Sequence, residues 1–236
     1  MKILEKPRKS PASALLLSFL LTVIPATAST PPSVNVIHPN DAMAQTGKTY
    51  EEWSEAWWKY VLEIPFENNP LFDETGANCN FAQSGDVFFL VSTAGGTATR
   101  NECIVPAGKV IYFSLLGAVR LKEVDGPEPE IAARSSIQGV SKSTRELRVF
   151  VDGQDVGISL FPRATPLRTL STPGFFTIDA PENNVFGLAP NQYHGVADGF
   201  YLMLAPLSPG PHEITFGGTT AGFSSYVTYN LVVDEP

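Results

Sequence analysis

Residues Thr49 to Pro65 read TYEEWSEAWWKYVLEIP, a stretch that holds all 3 tryptophans, Trp53, Trp57 and Trp58, together with Tyr50 and Tyr60. Thr49 and Glu52 have the S/T-x-x-E spacing of a capping box, which satisfies the first free backbone N–H groups of a helix. Pro65 cannot continue a helix and turns Ile64 away from helical angles, so it marks the stop. Between these signals Trp53, Trp57, Tyr60, Val61 and Ile64 recur on one helical face. Glu51, Glu52, Glu55, Lys59 and Glu63 lie mainly opposite, with Glu55 and Lys59 in the favourable i, i+4 order. A lone amphipathic helix has to bury its apolar face on something, and the rest of the chain reads as strands. The expected fold is therefore mainly β. It is a single β-sandwich, jelly-roll-like, with this aromatic helix packed on it and the tryptophans in the core.

Downstream of the helix, residues 66–85 have the Asn, Asp, Gly and Pro content of a loop. Strand signals begin at DVFFLVS, residues 86–92. Val110 to Leu116 is apolar on both faces, which predicts a central strand covered on both sides and a place for the helix to lie. Residues 125–145 interrupt the pattern. Pro129 at a first helical position, with Ile131, Ala132 and Ser135 spaced behind it, predicts a short helical insertion that either covers a site or simply packs. ELRVFVDGQDVGISLF, residues 146–161, alternates around Asp152-Gly153, a hairpin signal. GVADGFYLMLAPLSPGPHEITFGG reads as a second hairpin turning at residues 206–210, and SSYVTYNLVV closes the set.

The amino terminus has a separate logic. Lys2, Lys6, Arg8 and Lys9 precede the apolar run Ala14 to Ile24 and the Ala26-Thr27-Ala28 site, the layout of a Sec-type signal peptide over residues 1–28. The run is too short to span a bilayer, so cleavage after Ala28 leaves no integral membrane segment. Residues 29–48 are proline-rich and polar around Ser33 to Ile37 and read as an extended N-terminal arm. Residues 49–236 form the helix-plus-sandwich domain, secreted or periplasmic.

The formal net charge of −8 becomes more negative once the basic leader is removed, which argues against nucleic acid as a partner. Cys79 and Cys103 are the 2 cysteines, and in an exported chain an even pair reads as a disulfide contributing roughly 3 kcal/mol. With no CxxC, and with His38, His194 and His212 in no metal-ligand spacing, the sequence assigns no metal and no cofactor.

No G-x-S-x-G elbow occurs, and no catalytic residue is assigned. Asp73 opens DETGAN, a loop with oxygen donors but without the spacing of a calcium loop. The densest cluster of functional groups is NQYHGVAD, where Asn191, Tyr193, His194 and Asp198 sit ahead of an apolar strand; it reads either as a ligand-binding loop or as an ordinary turn at Asp198-Gly199 with His194 hydrogen-bonded at the surface. Exposed tryptophans would offer a second surface, for sugar rings.

The helix YEEWSEAWWKYVLEIP, the pair NECIVPAGKVIYF and the ending ADGFYLMLAPLSPGPHEITFGG…YVTYNLVV together resemble a group of uncharacterised exported bacterial proteins. That group is marked by a W-x3-WW helix and a C-terminal L-x-PG-x-H-x-I-x-F hairpin. The resemblance implies export and one shared domain, and carries no activity. The leading functional expectation is a non-catalytic binding module for a neutral glycan, a small molecule or a cell-envelope protein. The alternatives are a secreted hydrolase or lyase acting on a neutral polymer with carboxylate and histidine chemistry, and an assembly subunit whose arm pairs onto a neighbour's sheet edge.

Overall fold

A computed structural model describes residues 34–126, 128–157 and 167–236. The expected signal peptide (1–28), residues 29–33 of the arm and residues 158–161 of the expected hairpin lie outside the described residues. The aromatic stretch is helix α2, Tyr50–Leu62, and its capping box is complete. Glu52 N donates to Thr49 Oγ1 at 3.3 Å, and Thr49 N donates to Glu52 Oε2 at 2.7 Å. Tyr50, Ser54, Trp57, Trp58, Val61 and Leu62 are buried, while Trp53 and Tyr60 are only partly covered. The buried face is thus rotated toward Trp58 from the face marked by Trp53 and Tyr60.

Two mixed sheets make up most of the rest. The first contains β1 (Val87–Leu90), β4 (Val110–Leu121), β7 (Arg168–Leu170), β8 (Phe176–Ala180) and β9 (Asn191–Leu204). β1 runs parallel to β4, whereas β9 is antiparallel to β4, β7 and β8. The second contains β2 (Gly96–Arg100), β3 (Ile104–Val105), β5 (Glu146–Val151), β6 (Gln154–Asp155), β10 (Gly210–Thr219) and β11 (Ser224–Val233). Here β2 and β3 run parallel to β11, while β10 is antiparallel to β11 and β5.

β4 is the central strand its apolar content predicts. On one face Tyr112 stacks on Tyr201 at 5.6 Å and donates from its hydroxyl to Tyr50 O at 3.1 Å. Trp57 Nε1 caps Leu90 O at 3.0 Å, and Trp58 Nε1 donates to the Tyr201 hydroxyl at 2.8 Å, so the indoles meet polar partners while their rings fill the core. On the other face Phe113 meets Phe216 of β10 at 4.3 Å. Close approach of the two sheets depends on Gly218, where a Cβ would lie 2.7 Å from Leu116 Cδ1 and 2.6 Å from Glu146 O.

Two elements differ from expectation. The arm is not extended throughout: Pro39–Thr46 form helix α1, with His38 Nδ1 accepting from Asn40 N at 3.3 Å and Gly47 in the left-handed conformation at its end. Only Asn35 to Ile37 is strand-like, and it pairs with this chain's own β9 through Val36 and Leu204. The stretch turning at residues 206–210 is not a hairpin, because β9 and β10 belong to different sheets. Pro206 and Pro209 offer no N–H to a ladder, and β9 is buried on both faces, so the chain crosses here between sheets. The long hairpin is instead β10–β11, from Gly210↔Val233 to Thr219↔Ser224. The hairpin at Asp152-Gly153 does form, with φ of 51° and 75°, joining β5 to β6.

The helical insertion comprises α3 (Lys122–Asp125), α4 (Glu130–Ile137) and α5 (Gly139–Ser143). Pro129 is the residue before α4 rather than its first, and Ile131 is 81% exposed, so Ala133 and Ile137 carry the packing against Val196 of β9. Cys79 and Cys103 form a disulfide with Cα atoms 5.5 Å apart, tying the loop after α2 to the second sheet. Among the described residues no helix is long and apolar enough to cross a membrane.

Candidate functional site

Asn191, Tyr193, His194 and Asp198 lie not in a loop but within β9, and their side chains are not brought together. Asn191 is exposed at the start of the strand, opposite Ala180. Tyr193 is buried and donates to Ala189 O at 2.9 Å. His194 Nδ1 is 2.7 Å from Glu123 Oε1 of α3, and its backbone N–H reaches Glu123 Oε2 at 2.9 Å. Partial burial raises the Glu123 carboxyl, but those His194 bonds outweigh it and hold the group below the ordinary carboxylate value. Asp198 is fully buried. It accepts from Arg168 Nε at 3.2 Å, from Arg168 Nη2 at 3.1 Å and from the Ser141 hydroxyl. That carboxylate clasps β7 and α5 to β9 and has no face left for a ligand.

The other polar candidates are likewise occupied. His212 Nδ1 is 2.8 Å from Asp152 Oδ2, and its Nε2 lies 3.3 Å from Ser208 Oγ but 2.8 Å from Ser208 O. The order Asp–His–Ser is that of a hydrolase triad, yet the nearer contact is to a carbonyl, so the ring clips two turns together instead of facing a nucleophile. Asp73 Oδ1 accepts from Thr75 N, Thr75 Oγ1 and Gly76 N, and its Oδ2 accepts from Asn78 N at 2.8 Å. Burial pushes the Asp73 carboxyl up, and these bonds more than reverse that. Among the described residues no group of three or more His, Cys, Asp or Glu is placed to hold a metal ion.

An aromatic concavity lies elsewhere, beside α2. A cleft of about 320 Å³ has Trp58, Val61, Leu115, Leu116 and Gly117 among its walls, with Phe72, Phe186 and Phe223 around it. Gly117 lets the indole approach β4 closely, since a Cβ there would stand 3.3 Å from Trp58 Cζ2 and 3.2 Å from the Tyr201 hydroxyl. Burial pushes the Tyr201 phenol well above its ordinary value, and the Trp58 hydrogen bond only partly offsets that.

Three separate loops bring the phenylalanines. Phe72 packs on Phe66 at 5.0 Å, in a loop fixed by Asn69, whose Nδ2 donates to Val61 O at 2.6 Å and Ile64 O at 3.0 Å. Phe186 rides on a turn built by Asn184, whose amide bonds Pro181 O and Leu188 O and accepts from Phe186 N. Phe223 sits in the β10–β11 turn, where Thr220 N donates to Phe223 O at 2.8 Å, and its ring lies close over Gly95. These residues are 42%, 50% and 45% exposed, so each phenylalanine keeps apolar surface open to water.

A second cleft of about 150 Å³ shares Leu71, Phe72, Thr93 and Ala94 with the first and reaches Asp73, Glu74, Thr97 and Arg100. Arg100 is 1% exposed. It donates from Nε to Asp73 O at 2.7 Å, from Nη1 to Val91 O at 2.5 Å and to the Tyr229 hydroxyl, and from Nη2 to Ser92 O at 3.3 Å.

Of the candidate ligand contacts named from the sequence, only Trp58 lines the aromatic cleft; Val61, Leu115 and Leu116, read there as core positions, line it too. Phe72, Phe186 and Phe223 were missed. The available signal was a phenylalanine isolated among turn-formers in NNPLFDETG, NNVFGL and TAGFSS. No protein-family model matches the chain, and no curated protein matches it.

Proposed function

We propose that this protein is a non-catalytic, exported β-sandwich module that binds a small uncharged ligand in the cleft above Trp58. The observation that carries the reading is the convergence of Phe72, Phe186 and Phe223, from three separate loops, over one indole floor. Rings left about half exposed cost solvation free energy and lower foldability, and concave aromatic surfaces of this kind are typical of ligand sites. The rim stands on rigid supports, namely α2, β4 and the β10–β11 hairpin, so the site is formed before a ligand arrives. Export accords with the basic, apolar and Ala-x-Ala order of residues 1–28 and with the disulfide, which persists in oxidising compartments. Kinship with the exported W-x3-WW proteins is part of the same proposal.

The test is titration of the mature protein with small uncharged aromatic compounds while following tryptophan emission, with Phe186→Ala and Phe223→Ala as controls. Saturable change in the wild type, lost in both variants at unchanged melting temperature, supports the reading. Binding untouched by either substitution overturns it.

A further inference from the structure

We infer that the ligand of this cleft is an apolar molecule of one or two rings, or a comparable short hydrocarbon, with at most one hydrogen-bonding group, and is not a sugar. The inference rests on the ligand-binding reading above and narrows it by the chemistry of the lining. No ionisable side chain lines the cleft. A charged group entering it would lose water without gaining a partner.

The polar side chains of the lining are Trp58, Ser92, Thr93 and Ser225. Trp58 Nε1 is committed to the Tyr201 hydroxyl at 2.8 Å. Thr93 Oγ1 is 3.0 Å from Ser225 Oγ and 3.1 Å from Gly95 O. Ser225 Oγ also accepts from Thr93 N at 3.2 Å and donates to Thr93 O at 3.0 Å. Both hydroxyls therefore serve the link between residue 93 and β11. Ser92 carries the one lining hydroxyl to which no protein hydrogen bond is assigned among the described residues.

A sugar ring stacked on the aromatics would bury several hydroxyls against this wall. Each one left without a partner lowers affinity roughly 5- to 150-fold. An apolar ring carries no hydroxyl of its own to strand, and its burial against four aromatic side chains is favourable. Size agrees, since an apolar cavity of ~150 Å³ is enough for a benzene, and this cleft offers about 320 Å³. A carboxylate tail reaching into the adjoining cleft would meet Asp73 and Glu74, beside a guanidinium already donating to three carbonyls and a phenol. An acidic ligand is disfavoured on that side as well.

The experiment is calorimetric titration of the mature, oxidised protein with 2-naphthol, naphthalene, the charged analogue 2-naphthoate, and the neutral sugars methyl glucoside and cellobiose. The expected result is micromolar to sub-millimolar binding of 2-naphthol, at least tenfold weaker binding of 2-naphthoate, and no sugar binding at ten millimolar. Ser92→Ala should weaken 2-naphthol three- to tenfold and leave naphthalene unchanged, because only the former carries a hydroxyl for Ser92. Sugar binding that is lost in Phe223→Ala would overturn the ligand class while leaving the cleft as the site. Tight 2-naphthoate binding lost in the same variant would do so too. If no probe binds, or if binding survives both Phe186→Ala and Phe223→Ala, the site itself is wrong and the inference falls with it.

Discussion

Replacing Asp198 by alanine tests whether the most polar stretch of β9 holds the fold or serves a ligand. The carboxylate is fully buried and accepts three hydrogen bonds, two from Arg168 and one from Ser141. Removing one partner of a buried ion pair costs ~3–5 kcal/mol. The Arg168 side chain is 29% exposed, so water recovers part of its guanidinium and the loss falls at the lower end. Ser141 is left buried without its acceptor, adding about 1 kcal/mol. The expected total is about 4 kcal/mol. For a domain of this size that lowers the melting temperature by roughly 8–16 °C. Asp198→Asn keeps the shape and one acceptor and should lose about half as much. Differential scanning calorimetry at neutral pH measures both, and 2-naphthol titration is run on whatever remains folded. A melting temperature within 2 °C of wild type in Asp198→Ala, or lost binding in a folded Asp198→Asn, would refute the assignment.

Three further outcomes are expected. Gly117→Ala presses a methyl to 3.0 Å from Ser114 Oγ and 3.2 Å from the Tyr201 hydroxyl, so it should destabilise by about 1–3 kcal/mol and shift tryptophan emission, read by urea unfolding. Paired Cys79→Ser and Cys103→Ser substitutions should cost roughly 3 kcal/mol and weaken probe binding, because the disulfide anchors the loop that carries Phe72; calorimetry and titration check the two effects. The Asp73 carboxyl is held low in the folded protein by four hydrogen bonds. Its contribution is full above the unfolded value near ~4 and lost as pH falls through the lower folded value, so Asp73→Asn should flatten the acid limb of a stability–pH profile.

Much of this architecture was legible because its signals are local. Thr49, Glu52 and Pro65 delimit α2 by backbone hydrogen-bond chemistry, and Asp152-Gly153 specifies a turn whose angles suit those residues. The unbroken apolar run of β4 implies cover on both faces, and it has it. Helix α1 carried equally local signals in His38-Pro39 and Gly47, but the surrounding prolines obscured them. What was not legible depends on distant partners. His194 and Asp198 resemble loop chemistry until Glu123, Arg168 and Ser141 arrive from other elements to satisfy them inside a strand. β9 and β10 look like a hairpin because they are adjacent and apolar, yet each finds its ladder in a different sheet. The cleft is the extreme case. Phe72, Phe186 and Phe223 are far apart in sequence, and nothing short of the fold places them over Trp58.

The most direct test of the central claim is an aromatic carbon–proton NMR spectrum of phenylalanine-labelled protein, recorded with and without 2-naphthol. The account predicts that Phe72, Phe186 and Phe223 shift together along one saturation curve while Phe113 and Phe216, buried between the sheets, stay in place. Shifts confined to other phenylalanines, or none at all, would contradict it.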